Sequence, residues 1–318
     1  MKVLVTGASG FVGRHLVKRC LSDGWQVTTL SRSSSRAVIP ELKNHVIAGI
    51  EQLGDVSGAL RGQDVVVHCA ARVHVMKEQG HDPMAAFRAI NVAGTLDLAR
   101  QAVIAGVKRF VFLSTIGVNG NLTSSRPFTS LDNAKPHSLY SISKHDAELG
   151  LALLSKESGM EIVIIRPPLV HGFDAPGNFR SLMRWVHRGV PLPLGRLQNY
   201  RSLVGVDNLV DLIATCVCHR AAANQTFLVS DGEDISTTDL LVRVGVSLGV
   251  STRLFFVPEF VLRGCAVAVG RRSAFEQLCG SLQVDMGDLL HRIGWVPPIS
   301  LDEGIKRAAQ GYLRETTL

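Results

Sequence analysis

Tyr140 and Lys144 stand four residues apart in SLYSISK, so on a helix their side chains share one face, about 6 Å apart. A phenol titrates near 10 and exchanges protons poorly at neutral pH. A neighbouring ammonium favours the phenolate and brings that value toward the working range. Such a pair is suited to moving a proton on and off a substrate oxygen. Ser114 and Thr115 close the apolar run FLST, and their hydroxyls can reach the same oxygen. With only 3 tyrosines in the chain, a Tyr-x-x-x-Lys spacing is not common background.

A second group of residues reads as an anion cradle. Gly7, Gly10 and Gly13 in TGASGFVG follow the apolar run KVLVT and precede an amphipathic stretch. The first glycine allows a tight turn, the second lets backbone approach a pyrophosphate, and the third permits close helix–strand packing. The helix that opens there presents unpaired N–H groups and a positive dipole end to phosphates. This placement predicts a dinucleotide site.

At the end of the second apolar run lies TLSRSSSR, residues 29–36. Sites for NAD carry an acid near this point, which binds the ribose 2′-hydroxyl. Here Ser31, Arg32 and Arg36, with Ser33 and Ser34 between them, supply hydroxyls and guanidinium groups suited to a 2′-phosphate. The expected cofactor is therefore NADP(H).

The elements that must position these groups alternate. KVLVT (2–6), QVTTL (26–30), VVVHCA (65–70), RFVFLS (109–114) and EIVIIRP (161–167) read as buried strands, with helical patterns at 11–24 and 91–106. The rhythm predicts an α/β fold, a Rossmann-type doubly wound parallel sheet with a smaller C-terminal lobe for substrate. The expected division is 1–167 for the dinucleotide domain, rejoined by about 204–230, and 168–203 with 231–318 for the lobe. Residues 204–219 have helical spacing and TFLVS (226–230) reads as a further strand.

Bulk properties narrow the function classes. The chain has 318 residues, 46% hydrophobic and 19% charged, an ordinary globular profile. Its net charge of +7 comes without a run of five Lys or Arg, so no nucleic-acid tail is indicated, and the balance suits anionic ligands. The 6 cysteines form no CxxC pair, which predicts buried free thiols in a reducing cytoplasm and no metal. The stretch 254–270 is interrupted by Pro258, Glu259 and Arg263; it is too short to span a bilayer and is expected to pack into the core, with peripheral membrane contact as the alternative.

TGxxGFxG, HCAA (68–71), Asn91 in NVAGT, the Ser114–Thr115 pair, YxxxK and Arg166-Pro167 occur together in an order that resembles the extended short-chain dehydrogenase/reductases. The resemblance covers essentially the whole chain. It implies cofactor contacts from Gly7, Gly10, Phe11, Val12 and Gly13, from Ala70, Ala71, Asn91 and Pro167, and from Tyr140 and Lys144. It also implies Thr115 on the sugar oxygen, Tyr140 as acid–base, Lys144 on the nicotinamide ribose and Ser114 as support. Asn178 and Arg201 would hold a nucleotide sugar, with Arg201 at the diphosphate. Family members commonly pair as homodimers, for which helices at 91–105 and 138–156 are candidates. Leu169 and His171 depart from the family pattern, as do Ile50-Glu51, which replace the Gly-Asp order that the family carries after its third strand.

Three reactions compete. Dehydration needs an Asp-Glu pair after the Ser-Thr, and Ile116-Gly117 stands there instead. The arginine-bearing loop favours net reduction by NADPH. The run AARVHVM and its neighbours resemble bacterial enzymes of O-antigen and lipopolysaccharide assembly, which implies reduction of a UDP-4-keto-6-deoxy-N-acetylhexosamine to UDP-N-acetylquinovosamine or UDP-N-acetylfucosamine. The alternatives are a UDP-hexose or UDP-N-acetylhexosamine 4-epimerase with tightly bound NAD, and a non-enzymatic dinucleotide sensor, against which the intact Thr–Tyr–Lys set argues.

Overall fold

The computed structural model describes residues 1–32, 42–73 and 82–317. Among the described residues lie ten strands, β1 to β10 in chain order. β1 (Lys2–Thr6), β2 (Gln26–Ser31), β3 (Lys43–Val46), β4 (Val65–His68), β5 (Arg109–Leu113) and β6 (Glu161–Arg166) join β9 (Thr226–Leu228) in one parallel sheet. Its order is β3-β2-β1-β4-β5-β6-β9. β7 (Leu169–His171), β8 (Arg201–Gly205) and β10 (Asp234–Ile235) form a second, smaller sheet. The main sheet is the Rossmann-type α/β architecture expected from the alternating pattern. β3 escaped the sequence reading because KNHV is an edge strand with little buried apolar surface.

Strand period explains the two cores. Val3 and Val5 face the helices Phe11–Ser22 and Val206–Cys218, packing with Leu16, Val17, Leu209 and Ile213. Leu4 points the other way, into a cluster with Phe110, Phe112, Leu98, Ala147 and Leu151. Both faces of the sheet are therefore covered, as a parallel sheet requires. A third cluster gathers the helices Asn178–His187, Thr237–Leu248 and Leu301–Thr317 around Phe179, Leu182, Leu240 and Ile305. Leu289, Ile293 and Trp295, late in the chain, pack back onto the first core.

The strand order reverses between β1 and β4, both of which run parallel from Val3 opposite Val65 to Thr6 opposite His68. The loops after these carboxyl ends open a crevice there, the usual ligand position of such sheets. The segment leading to Gly106 is not one plain helix: Pro83–Phe87 widens into a π-helical turn at Arg88–Gly94 before Thr95–Ile104 continues as α-helix. Such turns gather at functional sites.

Residues 254–270 are not core. The helix Glu259–Ala268 has no buried residue, and Phe260 is 77% exposed. Its apolar residues lie on more than one side of the helix, and only Leu254 and Leu262 turn inward to the lobe core. Nor are all the thiols buried: Cys20, Cys216 and Cys279 are, whereas Cys218 and Cys265 are exposed. Cys216 and Cys218 diverge because two residues on a helix turn the chain by about 200°.

Candidate active site

The glycine loop closes tightly at the carboxyl end of β1. Gly7 sits at φ +69, and a Cβ there would lie 2.7 Å from the Ala70 nitrogen; one at Gly13 would lie 2.1 Å from the Gly7 carbonyl oxygen. Only glycine fits either place. Gly10 N donates to the Gly7 carbonyl at 2.8 Å, and Gly10 caps the Phe11–Ser22 helix with no side chain and no acid in the first turn. The helix N-terminus is thus left open for an anion. Phe11 and Val12 pack inward from this turn against the first core.

One cleft runs along these backbone groups. Gly7, Gly10, Ala70 and Ala71 line it beside Ser31 and Arg32, with Ile47, Ile50 and Glu51 as a further wall. Ile50 and Glu51 were not legible as ligands because they replace the expected order. Gly94 holds this wall close, since a Cβ there would meet the Ile50 carbonyl oxygen at 2.3 Å. Apolar walls flanking a glycine-lined, acid-free helix start fit a dinucleotide. Ser31 differs from expectation: its hydroxyl donates to Asn44 Oδ1 at 2.9 Å, as does that of Thr29. Arg32 is exposed at the rim, whereas Ser33, Ser34 and Arg36 lie outside the described residues.

A buried polar chain links this loop to the Tyr140 helix. Ala70 N donates to Thr6 Oγ1, which lies 2.7 Å from His68 Nδ1; His68 Nε2 lies 3.0 Å from Thr95 Oγ1. The Thr95 hydroxyl donates to the Asn91 carbonyl, so it accepts from Nε2–H; with the Thr6 hydroxyl donating to Nδ1, the imidazole is neutral. Burial, with Lys144 nearby, pushes the His68 pKa down to about 3, in keeping with that state. The Asn91 side chain accepts from Arg72 N at 2.8 Å and donates to the Arg72 carbonyl and to Ser143 Oγ. Asn91 therefore braces loop and helix together.

Ser138 and Ser141 cap the Leu139–Ser158 helix reciprocally, each hydroxyl accepting from the other's backbone N–H. Gly159, at φ +75, ends it. The helix carries Tyr140, Lys144 and Glu148 at successive turns. Tyr140, Thr115, Asn178 and Arg201 line a single second cleft with Pro168 and Leu169. His137, Ser138, Thr237, Ser273 and Gln277 line it too. They escaped the sequence reading because three separate segments supply them; the Ser138 cap before Tyr140 was the one available signal.

The other two expected residues lie deeper. Ser114 is buried and donates to Glu148, which also receives Arg166 through Nε at 3.0 Å. Its hydroxyl is committed to that buried network, not to the cleft. Arg166 extends the network to Asn119 at 2.9 Å, while Pro167 follows it and accepts from Ile116 N at 2.9 Å. Lys144 is 1% exposed, its Nζ 3.8 Å from the Phe112 ring centroid. Burial lowers its pKa to about 7 against the pull of Glu148 and Cys69. Tyr140 moves opposite to expectation: burial raises it to about 12, with no contribution from Lys144. The Lys144 ammonium stands over the Phe112 ring with no ion pair among the described residues.

Arg201 donates to the Gly280 carbonyl at 2.9 Å and forms no ion pair among the described residues. Burial lowers its pKa. A largely desolvated guanidinium that lines a cleft is chemically suited to hold an anion. Asn178, at the start of its helix, donates to Gln277 Oε1 at 3.1 Å across the cleft. His171, buried, meets Asp231 Oδ2 at 2.6 Å away from the cleft.

Comparison with known proteins bears on this arrangement. A UDP-glucose 4-epimerase of Vibrio cholerae is 42% identical over 98% of this chain and 95% of its own length. An Escherichia coli O157:H7 protein named as an N-acetyl-α-D-glucosaminyl-diphospho-undecaprenol 4-epimerase is 28% identical over 97% of this chain and 94% of its own. In fold, the chain is similar to the Thermotoga maritima UDP-glucose 4-epimerase solved with UDP-glucose (TM-score 0.78, 22% identity, 100% of both chains). It is equally similar to the Bacillus cereus UDP-glucuronic acid 4-epimerase solved with NAD (TM-score 0.79, 20% identity, 99% of both). The pattern of one family matches residues 3–230, so the chain belongs to the NAD dependent epimerase/dehydratase family.

Proposed function

We propose that this chain inverts C4 of a UDP-hexose or UDP-N-acetylhexosamine, with a nicotinamide dinucleotide retained in the glycine-lined cleft. The observation that carries the reading is the convergence of Thr115, Tyr140 and Arg201 on one cleft beside that cradle. The likeness to the Vibrio cholerae epimerase along nearly the full chain supports epimerisation over the net reduction expected from the arginine loop. When bound, the cofactor supplies a reversible hydride acceptor at C4.

The protein's own residues do the rest. Arg201 holds the diphosphate and, with Asn178, fixes the sugar's reach into the cleft. Thr115 hydrogen-bonds the C4 oxygen as its charge changes. Tyr140 removes and returns the proton of that oxygen. Because burial raises its pKa, deprotonation depends on positive charge brought close with the ligands. Lys144 and Asn91 hold the helix side of the cofactor site. The exposed Ile104, Leu149 and Leu153, on the two helices that flank this side, support a homodimer. Free cysteines suit a reducing compartment such as the cytoplasm.

One observation favours a second reading: Arg32 stands at the cleft rim beside Ser31, where an acid would oppose a 2′-phosphate. It supports NADPH-dependent reduction of a UDP-4-keto-6-deoxy-N-acetylhexosamine, for a bacterial surface polysaccharide. The two readings separate in one experiment. The purified protein is assayed for bound dinucleotide and incubated with UDP-glucose or UDP-N-acetylglucosamine without added cofactor. Appearance of the C4 epimer supports epimerisation; no epimer, but NADPH oxidation with the 4-keto sugar, replaces it with the reductase. In either case Tyr140→Phe abolishes turnover and leaves UDP binding intact; unchanged turnover refutes the role of Tyr140.

A further inference from the structure

We propose that the segment Arg253–Arg272 is a docking surface for an anionic phospholipid membrane, lying on it without crossing it. Among the described residues no helix is long and apolar enough to span a bilayer. Within the Glu259–Ala268 helix, Phe260, Arg263, Gly264 and Val267 follow the i, i+3, i+4, i+7 spacing of a single face, and all four are exposed. Phe255 and Phe256, just before it, are exposed as well, and Val269, just after it, is 69% exposed. Exposed aromatic and aliphatic side chains gathered in one short segment mark an interaction site.

The patch is held in place. Leu192 N donates to the Arg253 carbonyl at 2.9 Å, Phe255 N to the Leu192 carbonyl at 3.0 Å, and Gly195 N to the Phe255 carbonyl at 3.0 Å. Leu254 and Leu262 anchor the other side in the lobe core. The aromatic rings are therefore presented outward from an ordered base.

Charge selects the occupant. Arg253, Arg263, Arg271 and Arg272 are exposed along the segment, and Arg196 lies 5.7 Å from the Phe256 ring centroid. The acids nearby are Glu259, in the first turn of the helix, and Glu276, which is paired with Arg272. Apolar residues flanked by arginines match an interfacial helix on anionic lipid, where each Lys or Arg near the surface adds to the attraction. A two-fold pairing with a second copy would set these arginines against themselves. Gln277 and Ser273, on the adjoining Arg272–Cys279 helix, line the substrate cleft, so docking brings the cleft mouth to the membrane.

The test is cosedimentation of the full chain with phosphatidylcholine vesicles, with or without about one-third phosphatidylglycerol, in about 0.1 M salt. The expected result is binding to the anionic vesicles only. Phe256→Ser/Phe260→Ser reduces it at least tenfold, and Arg263→Glu/Arg271→Glu removes the preference for anionic lipid. Unchanged melting temperature and unchanged UDP binding show that the variants fold. Three results overturn the proposal: no binding to anionic vesicles, equal binding by parent and variants, or a sedimentation-velocity dimer that Phe260→Ser converts to monomer.

Discussion

Replacing Lys144 by Met should stabilise the protein while destroying its activity. The lysine is 1% exposed, and burial lowers its pKa from 10.5 to about 7. At 1.36 kcal/mol per pH unit, that displacement corresponds to a cost of about 5 kcal/mol for holding the charged form in the fold. The sign follows from proton linkage. Below the folded value the lysine is charged in both states and the cost is complete. As pH rises toward the unfolded value, the folded lysine has already lost its proton, so stability increases and the cost fades. The loss of the Phe112 contact offsets about 2 kcal/mol. Lys144→Met should therefore gain about 3 kcal/mol near pH 6, and that gain should shrink by about 3 kcal/mol toward pH 9. With an unfolding entropy of about 2 cal/mol/K per residue, a chain this long should melt about 4 °C higher near pH 6. Calorimetry of cofactor-stripped parent and variant across that pH range measures both quantities. A variant that melts below the parent near pH 6, or a difference flat with pH, refutes the reasoning that places an uncompensated charge beside Phe112.

Other expectations follow from the same geometry. Arg201→Leu should weaken UDP binding about 100-fold, the size of about 2.7 kcal/mol, with a smaller effect on kcat, as calorimetric titration and steady-state kinetics report. Asn91→Ala leaves the Arg72 backbone groups and the Ser143 hydroxyl without their common partner; thermal melts should show a loss of about 1–3 kcal/mol, with weaker dinucleotide binding. Arg32→Glu separates the two cofactor readings: a protein that uses NADP loses affinity for it at least tenfold, whereas NAD binding is unchanged or improved, both read by fluorescence titration.

The buried chain from Ala70 through His68 and Asn91 to Ser143 gives the site its rigidity. It passes from the loop beside the glycine cradle to the Tyr140 helix. A neutral imidazole is the suitable link, since it accepts from one threonine and donates to the other. The Ser114–Glu148–Arg166 network does the same work on the other side of the helix, which is why the expected serine is absent from the cleft.

What the sequence determined by itself was what short-range physics decides. Buried parallel strands read as apolar runs, so β1, β2, β4, β5 and β6 were legible within a residue or two, and the glycine spacing located the cradle because no other side chain fits those turns. The four-residue step from Tyr140 to Lys144 likewise followed from helix geometry. Tertiary structure decided how each side chain is engaged. Ser31 is taken by Asn44 and Ser114 by Glu148, partners 13 and 34 residues away that no local pattern announces. Burial, a property of the assembled fold, raised Tyr140 where spacing alone predicted lowering. It also left the Phe260 helix outside the core, because an apolar run states that a surface seeks cover and not which surface supplies it.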